Sequence, residues 1–170
     1  MCDASPWGLG AVLIVDGHIS AYLWDVISEQ DHSILQTSPG PEGQAIFEGL
    51  AVLVAARTWM PEWHALPTTI IMQSDSLAAL GSAAKLGSSV PKMNMVVREL
   101  ALEFAEGMFE IGLFGHIPGH LNTLADALSR LFDPNGPKEL PEMLANVPRT
   151  IVQERCPSWW RTRGTPATSR

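Results

Sequence analysis

Four acids occupy positions where a carboxylate does chemistry more readily than packing. Asp3 lies just ahead of a strand-like run, Glu48 sits among the apolar residues of a helical stretch, Asp75 follows a β-rich run, and Asp126 opens a helix. Strand ends and the helices that flank them can meet at one edge of an open α/β sheet. Carboxylates gathered there repel one another severely unless divalent cations neutralise them. Hard oxygen donors without soft sulfur point to Mg²⁺ or Mn²⁺ rather than zinc. Singly, the acids have plainer explanations: Asp3 as a surface acid, Asp75 as a helix cap, Asp126 as an acid favoured by the helix dipole. Convergence in space separates the two accounts.

The stretch from His116 to Arg130 is the densest in such groups. It combines a Pro118-Gly119 turn, His120, Asn122 at a helix start and Asp126 in the first turn, after a segment that reads as a strand. The unperturbed pKa of a histidine suits proton transfer near neutrality. His116 lies four before His120, but Pro118 and Gly119 exclude a helical zinc pair, so His116 is read as structural. His18, His32 and His64 have no partner in the sequence and are expected to be solvated or packed. No Gly-x-Ser-x-Gly elbow is present, which discounts Ser-His-Asp hydrolysis.

The elements that must position these groups follow from pattern. The runs Gly8 to Val15 and Ile19 to Trp24 are strand-like and separated by Asp16-Gly17, a strong hairpin signal. Gln30 to Gly43 is polar, contains Pro39, Gly40 and Pro41, and reads as a connecting loop. Ala45, Ile46, Leu50, Leu53, Val54 and Arg57 recur at helical spacing over Gln44 to Met60, and Pro61 is expected to close that helix. Glu48, among these positions, is partly desolvated and needs a partner. Thr68 to Gln73 reads as a strand ending at Ser74-Asp75-Ser76, and Leu77 to Leu86 as a helix. Met93 to Glu106 predicts an amphipathic helix with Val96, Val97, Leu100 and Phe104 inward, and Phe109 to Phe114 a strand. With a stub around Asp3, the order is β-β-β-α-β-α-α-β-α, an α/β fold with a mixed sheet and helices on both faces.

Residues 1 to 132 form one domain on this reading. Residues 133 to 170 are a proline-rich, mostly irregular tail, with a short helix expected around Glu139 to Ala145. The length of 170 residues suits one domain plus a tail. No run of about eighteen apolar residues and no basic leader is present, so a soluble intracellular protein, cytoplasmic or nuclear, is expected and no membrane partner. Cys2 and Cys156 are expected to be unpaired thiols. Residues 1 to 137 carry five basic and fifteen acidic side chains, net −10; residues 138 to 170 carry six and three, net +3, together the −7 of the whole chain. A nucleic-acid role for so acidic a body needs metal ions or a basic partner.

The chain resembles the ribonuclease H domain attached to reverse transcriptases of gypsy-like LTR retroelements, over about residues 1 to 132. The match rests on Cys2-Asp3-Ala4-Ser5-Pro6-Trp7-Gly8-Leu9-Gly10-Ala11, on Glu48-Gly49-Leu50-Ala51-Val52-Leu53, on Ser74-Asp75-Ser76, and on Pro118 to Arg130. The resemblance implies a ribonuclease H-like three-layer fold with a mixed five-stranded sheet. It also implies hydrolysis of the RNA strand of an RNA/DNA hybrid by two Mg²⁺ ions, or Mn²⁺, held by Asp3, Glu48, Asp75 and Asp126. By the same resemblance His120 is the mobile proton handler, the backbone at Ala4 and Ser5 contacts 2′-hydroxyls, and Ser76 and Asn122 lie near substrate. A reverse transcriptase domain upstream in a parent polyprotein is the implied protein partner.

That family carries the first acid within its first strand, whereas two residues precede Asp3, so half of a central strand is expected to be missing from a cut or decayed copy. The contrasting expectation is a catalytically inactive remnant that serves as a structural or protein-binding module. Proofreading exonucleases, with Asp-x-Glu where this chain has Asp3-Ala4-Ser5, and integrases, with a final Glu where Asp126 stands, fit less well. Trp159-Trp160 with Arg161 and Arg163 can stack on nucleic acid, although docking of this segment on the core is the favoured expectation.

Overall fold

The computed structural model describes residues 1–37, 41–63, 68–107 and 109–164. Its elements are β1 (Cys2–Ala4), β2 (Gly8–Val15), β3 (His18–Val26), α1 (Glu29–Leu35), α2 (Pro41–Trp63), β4 (Thr68–Ser74), α3 (Leu77–Lys85), α4 (Pro91–Glu106), β5 (Phe109–His116) and α5 (Thr123–Ser129). The fold is α/β, with antiparallel and parallel pairings and helices packed around them.

The β2–β3 hairpin closes at Asp16-Gly17 as the dipeptide predicts. Both residues have positive φ, 51° and 78°, which matches the twist of the flanking strands. β1, β2 and β3 form an antiparallel three-stranded sheet, in which Asp3 lies opposite Gly10. β4 and β5 form a parallel pair. The expected single five-stranded sheet is therefore drawn as three strands plus two. β1 runs beside β4, yet among the described residues no registered ladder joins them.

Alternation along β2 and β3 divides the core. Leu9, Ala11 and Leu23 pack with Leu50, Leu53 and Val54 of α2 and Val96 and Leu100 of α4. Val12 and Tyr22, on the other face, pack with Leu128 of α5 and Leu144. The period of two thus places helices on both faces of this sheet. A Cβ on Gly10 would stand 2.7 Å from Leu128 Cβ and would also meet the Ala125 carbonyl, so only glycine lets α5 lie this close to the sheet.

Two expectations are corrected. The loop read over Gln30 to Gly43 contains α1, nucleated by a capping box: Ser28 Oγ accepts from Asp31 N, and the Asp31 carboxylate accepts from Ser28 N. Pro39 and Gly40 of that loop lie outside the described residues, as does His64. The helix expected to stop at Pro61 runs on to Trp63, whose ring meets Phe109 edge-on at 5.3 Å and anchors the last turn.

Over residues 133–164 the tail contains three 3₁₀ turns and is otherwise irregular. The short helix expected around Glu139 to Ala145 is a 3₁₀ turn over Glu142–Leu144. Leu144 is buried on the α5 face. The chain then crosses the outer edge of β3, where Pro148 O accepts from Tyr22 N at 3.2 Å and Thr150 N donates to Tyr22 O at 2.8 Å. It ends with Trp159 and Trp160 buried in the α2–α4 core, so docking, the favoured expectation for these tryptophans, is what the fold displays.

Candidate metal centre

Asp3 sits on β1 with both strand neighbours buried, so its carboxylate enters an interior that α2 closes. Glu48 lies one turn after Gln44 on α2. The Gln44 amide donates to Ala4 O at 2.6 Å and to Glu48 Oε1 at 2.9 Å, tying the glutamate to the strand that carries Asp3. Asp75 follows the last residue of β4, ahead of α3, whose N-cap is Ser76. Three elements distant in sequence thereby converge: one carboxylate oxygen from each of Asp3, Glu48 and Asp75 lies within 4.8 Å of the others.

Asp3 and Glu48 are 4% and 6% exposed, and among the described residues no arginine or lysine pairs with either. Burial is the main reason the Asp3 carboxyl is pushed up to about 7, opposed by a 2.6 Å hydrogen bond from Ser129 Oγ and reinforced by Asp75 and Asp126. Burial likewise pushes Glu48 up to about 8, with Asp3 the next cause. Glu48 Oε2 is buried without a hydrogen-bond partner among the described residues. An orphaned carboxylate oxygen facing two other carboxylates is poorly placed for a metal-free protein and well placed for a cation. The donors are all hard oxygens, which suits a divalent cation of the magnesium class.

The fourth acid stands apart. Asp126 is in the first turn of α5, but its Oδ1 accepts from Arg130 Nε at 2.6 Å and it is not among the three converging carboxylates. His120 is exposed in a short 3₁₀ turn, Gly119–Leu121, after the Pro118-Gly119 bend. That bend lies against the cluster, because a Cβ on Gly119 would be 3.0 Å from Asp75 Oδ2. His116 is exposed at the end of β5, His18 is exposed, and His32 packs on Phe47.

The residues expected near substrate turn out to be occupied by the fold. Ala4 and Ser5 are buried; Ser5 Oγ donates to Ser129 O at 2.7 Å and accepts from Trp7 N and Gly8 N. Ser76 caps α3 through Ala79 N. Asn122 holds the N-cap position of α5 without capping it; its amide donates to Cys2 O at 3.0 Å and reaches Asp75 Oδ1 at 3.4 Å.

Two positioning residues escaped the sequence reading. Gln44 stands four before Glu48, the spacing at which helix side chains touch. Ser129 stands three after Asp126, on the face α5 turns to β1. Comparisons of the chain with protein-family models, with curated proteins and with solved structures return no match.

Proposed function

We propose that this chain is a ribonuclease H-like module that hydrolyses the RNA strand of RNA/DNA hybrids with Mg²⁺, or Mn²⁺, during retroelement reverse transcription. The observation that carries the proposal is the convergence of Asp3, Glu48 and Asp75, the first two buried, with Glu48 Oε2 unpaired among the described residues. In this reading the two sheets are halves of one five-stranded sheet in the order β3-β2-β1-β4-β5, which brings the ends of β1 and β4 to the same edge.

Bound divalent ions supply positive charge to the entering and leaving oxygens of an in-line phosphodiester displacement. Asp3, Glu48 and Asp75 are the residues that would hold them. Ser129 fixes one Asp3 oxygen, and Gln44 fixes one Glu48 oxygen, so each acid keeps an oxygen for the cation. Asp126 would serve as a fourth ligand with its exposed pair to Arg130 open, and His120, exposed at the surface, would handle the proton. Water forms the new bond to phosphorus and the bond to the 3′-oxygen breaks, leaving a 5′-phosphate and a 3′-hydroxyl. The acidic body requires either these cations or an upstream reverse transcriptase to retain the hybrid.

One observation favours the second reading, an inactive structural module: the Arg130 guanidinium already satisfies Asp126. The two are separated by Mg²⁺-dependent cleavage of an end-labelled RNA/DNA hybrid by the full chain, with Asp75→Asn as control. Release of 5′-phosphorylated RNA fragments, reduced by on the order of 100-fold or more in the control, is expected. Intact hybrid at every Mg²⁺ and Mn²⁺ concentration, with folded protein, assigns the inactive module instead.

A further inference from the structure

The turn between β5 and α5 does more than carry His120. Its base is pinned by Ile117 N, which donates to Ser74 O at 3.1 Å, so the turn rises beside the end of β4. Leu121 N and Asn122 N close it onto Pro118 O and Gly119 O, at 2.8 and 3.0 Å. Asp75, the residue that follows β4, is flanked by both ends of this turn. A Cβ on Gly119 would stand 3.0 Å from Asp75 Oδ2, and Asn122 Nδ2 stands 3.4 Å from Asp75 Oδ1.

Asn122 is the unusual member. At the N-cap position of a helix, an asparagine ordinarily spends its side-chain oxygen on a backbone N–H of the first turn. Here no such bond forms. The residue is instead 0% exposed, and its Nδ2 donates to Cys2 O at 3.0 Å. Its Oδ1 is buried without a hydrogen-bond partner among the described residues. Forgoing the cap and burying a bare acceptor both cost stability. An amide turned to β1 and Asp75 at that cost contributes to the acid cluster, not to the start of α5.

We propose that the turn over residues 118–122 is a positioning device for the metal centre, with Asn122 a positioning residue that acts through Asp75. Nδ2, braced on Cys2 O, fixes Asp75 Oδ1, while the bare Cα of Gly119 leaves room for Oδ2. Cys2 adjoins Asp3 on β1, so the same amide sets the spacing between the two aspartates. Oδ1 remains to accept from a water on the cation, since ions of the magnesium class keep several of their waters. The inference rests on the metal-centre reading and deepens it.

The test is a double-variant cycle read as Mn²⁺ affinity, by calorimetry on the full chain, with metal-free Tm as the measure of folding. Asn122→Ala is expected to weaken Mn²⁺ binding by about tenfold or more. Asp75→Asn weakens it as well, and the variant carrying both changes is expected to bind no more weakly than Asp75→Asn alone. Gly119→Ala keeps the test open should Asn122→Ala fail to fold. Gly119 is exposed and its φ is not positive, so alanine suits the backbone, yet the added Cβ presses on Asp75 Oδ2. Its signature is a smaller loss of Mn²⁺ affinity at unchanged Tm, again absent when Asp75 is already asparagine. Affinity indifferent to both positions, or losses that add to that of Asp75→Asn, overturn the proposal and leave the metal-centre reading standing. No Mn²⁺ binding by the folded wild-type chain overturns both.

Discussion

Two regions of this protein bury carboxylates, and they treat them in opposite ways. Where the tail crosses the core, every buried acid meets an arginine. Asp31 accepts from Arg155 Nε at 2.9 Å and Nη2 at 2.8 Å, and Asp25 pairs with the same guanidinium. Glu99 and Glu103 receive Arg57 at 2.8 and 2.6 Å, Arg161 adds a 2.5 Å pair to Glu103, and Arg57 stacks 4.0 Å from the Trp159 ring centre. Burial works to raise the Glu99 carboxyl, yet Arg57 and Thr162 together hold it below its ordinary value. At Asp3 and Glu48 burial is comparably deep, no guanidinium among the described residues pairs with either, Arg130 only partly offsets the shift at Asp3, and both carboxyls are pushed up. Among the described residues, arginines pair with the acids that fasten the chain and none pairs with these two. Glu103 also keeps one unpaired oxygen, but its other oxygen takes two guanidinium donors.

The comparison breaks most forcefully from the arginine side. Arg155→Met leaves the buried Asp31 charge without its guanidinium, held only by Ser28, and is expected to cost about 3–5 kcal/mol in urea denaturation; a loss under about 1 kcal/mol would show that the two regions do not differ. Next in size is catalysis: Asp3→Asn is expected to lower hybrid cleavage on the order of 100-fold, as Asp75→Asn does, without the stability loss of the arginine variant.

The third effect is a pH dependence with a definite sign. Asp3 and Glu48 have folded-state values of about 7 and about 8, above their ordinary 3.8 and 4.5. Their contribution is fully present below about pH 4 and is lost as pH rises through about 8. Metal-free Tm therefore falls across that window. Mn²⁺ or Mg²⁺ restores it most at the alkaline end, and Glu48→Gln flattens the fall, adding on the order of 2 kcal/mol at pH 8 without metal. A Tm that rises with pH between 5 and 8, or that ignores the cations, contradicts the assignment.

The smallest effect is the sharpest discriminator. Arg130→Ala removes a pair that is nearly half exposed on both sides, so stability changes by less than about 1 kcal/mol. If Asp126 is a ligand held in reserve, calorimetric titration with Mn²⁺ shows tighter binding in this variant; unchanged affinity confines the site to three acids.

Much of the frame was open to reading from local chemistry. Asp16-Gly17 dictates its turn because few other residues tolerate positive φ, and the inward stripe of α4 at Val96, Val97, Leu100 and Phe104 follows from helical spacing. The capping box that starts α1 was also in plain view at Ser28 and Asp31, masked by the polarity of the residues that follow. Glu99 and Glu103 were harder to read: acids at the inward positions of a helix make sense only once Arg57 and Arg161 face them.

By itself, then, the sequence determined the strands, most of the helix faces and the candidacy of Asp3, Glu48, Asp75 and Asp126, because these depend on dihedral preference and periodicity within a few residues. Only the tertiary structure decided that three of the four meet, that Asp126 turns to Arg130, and that the tail's arginines are spent on other acids. Those outcomes depend on distances between segments up to 130 residues apart, as with Arg155 and Asp25. Coulomb interaction at that separation along the chain is set by packing, which no local pattern encodes.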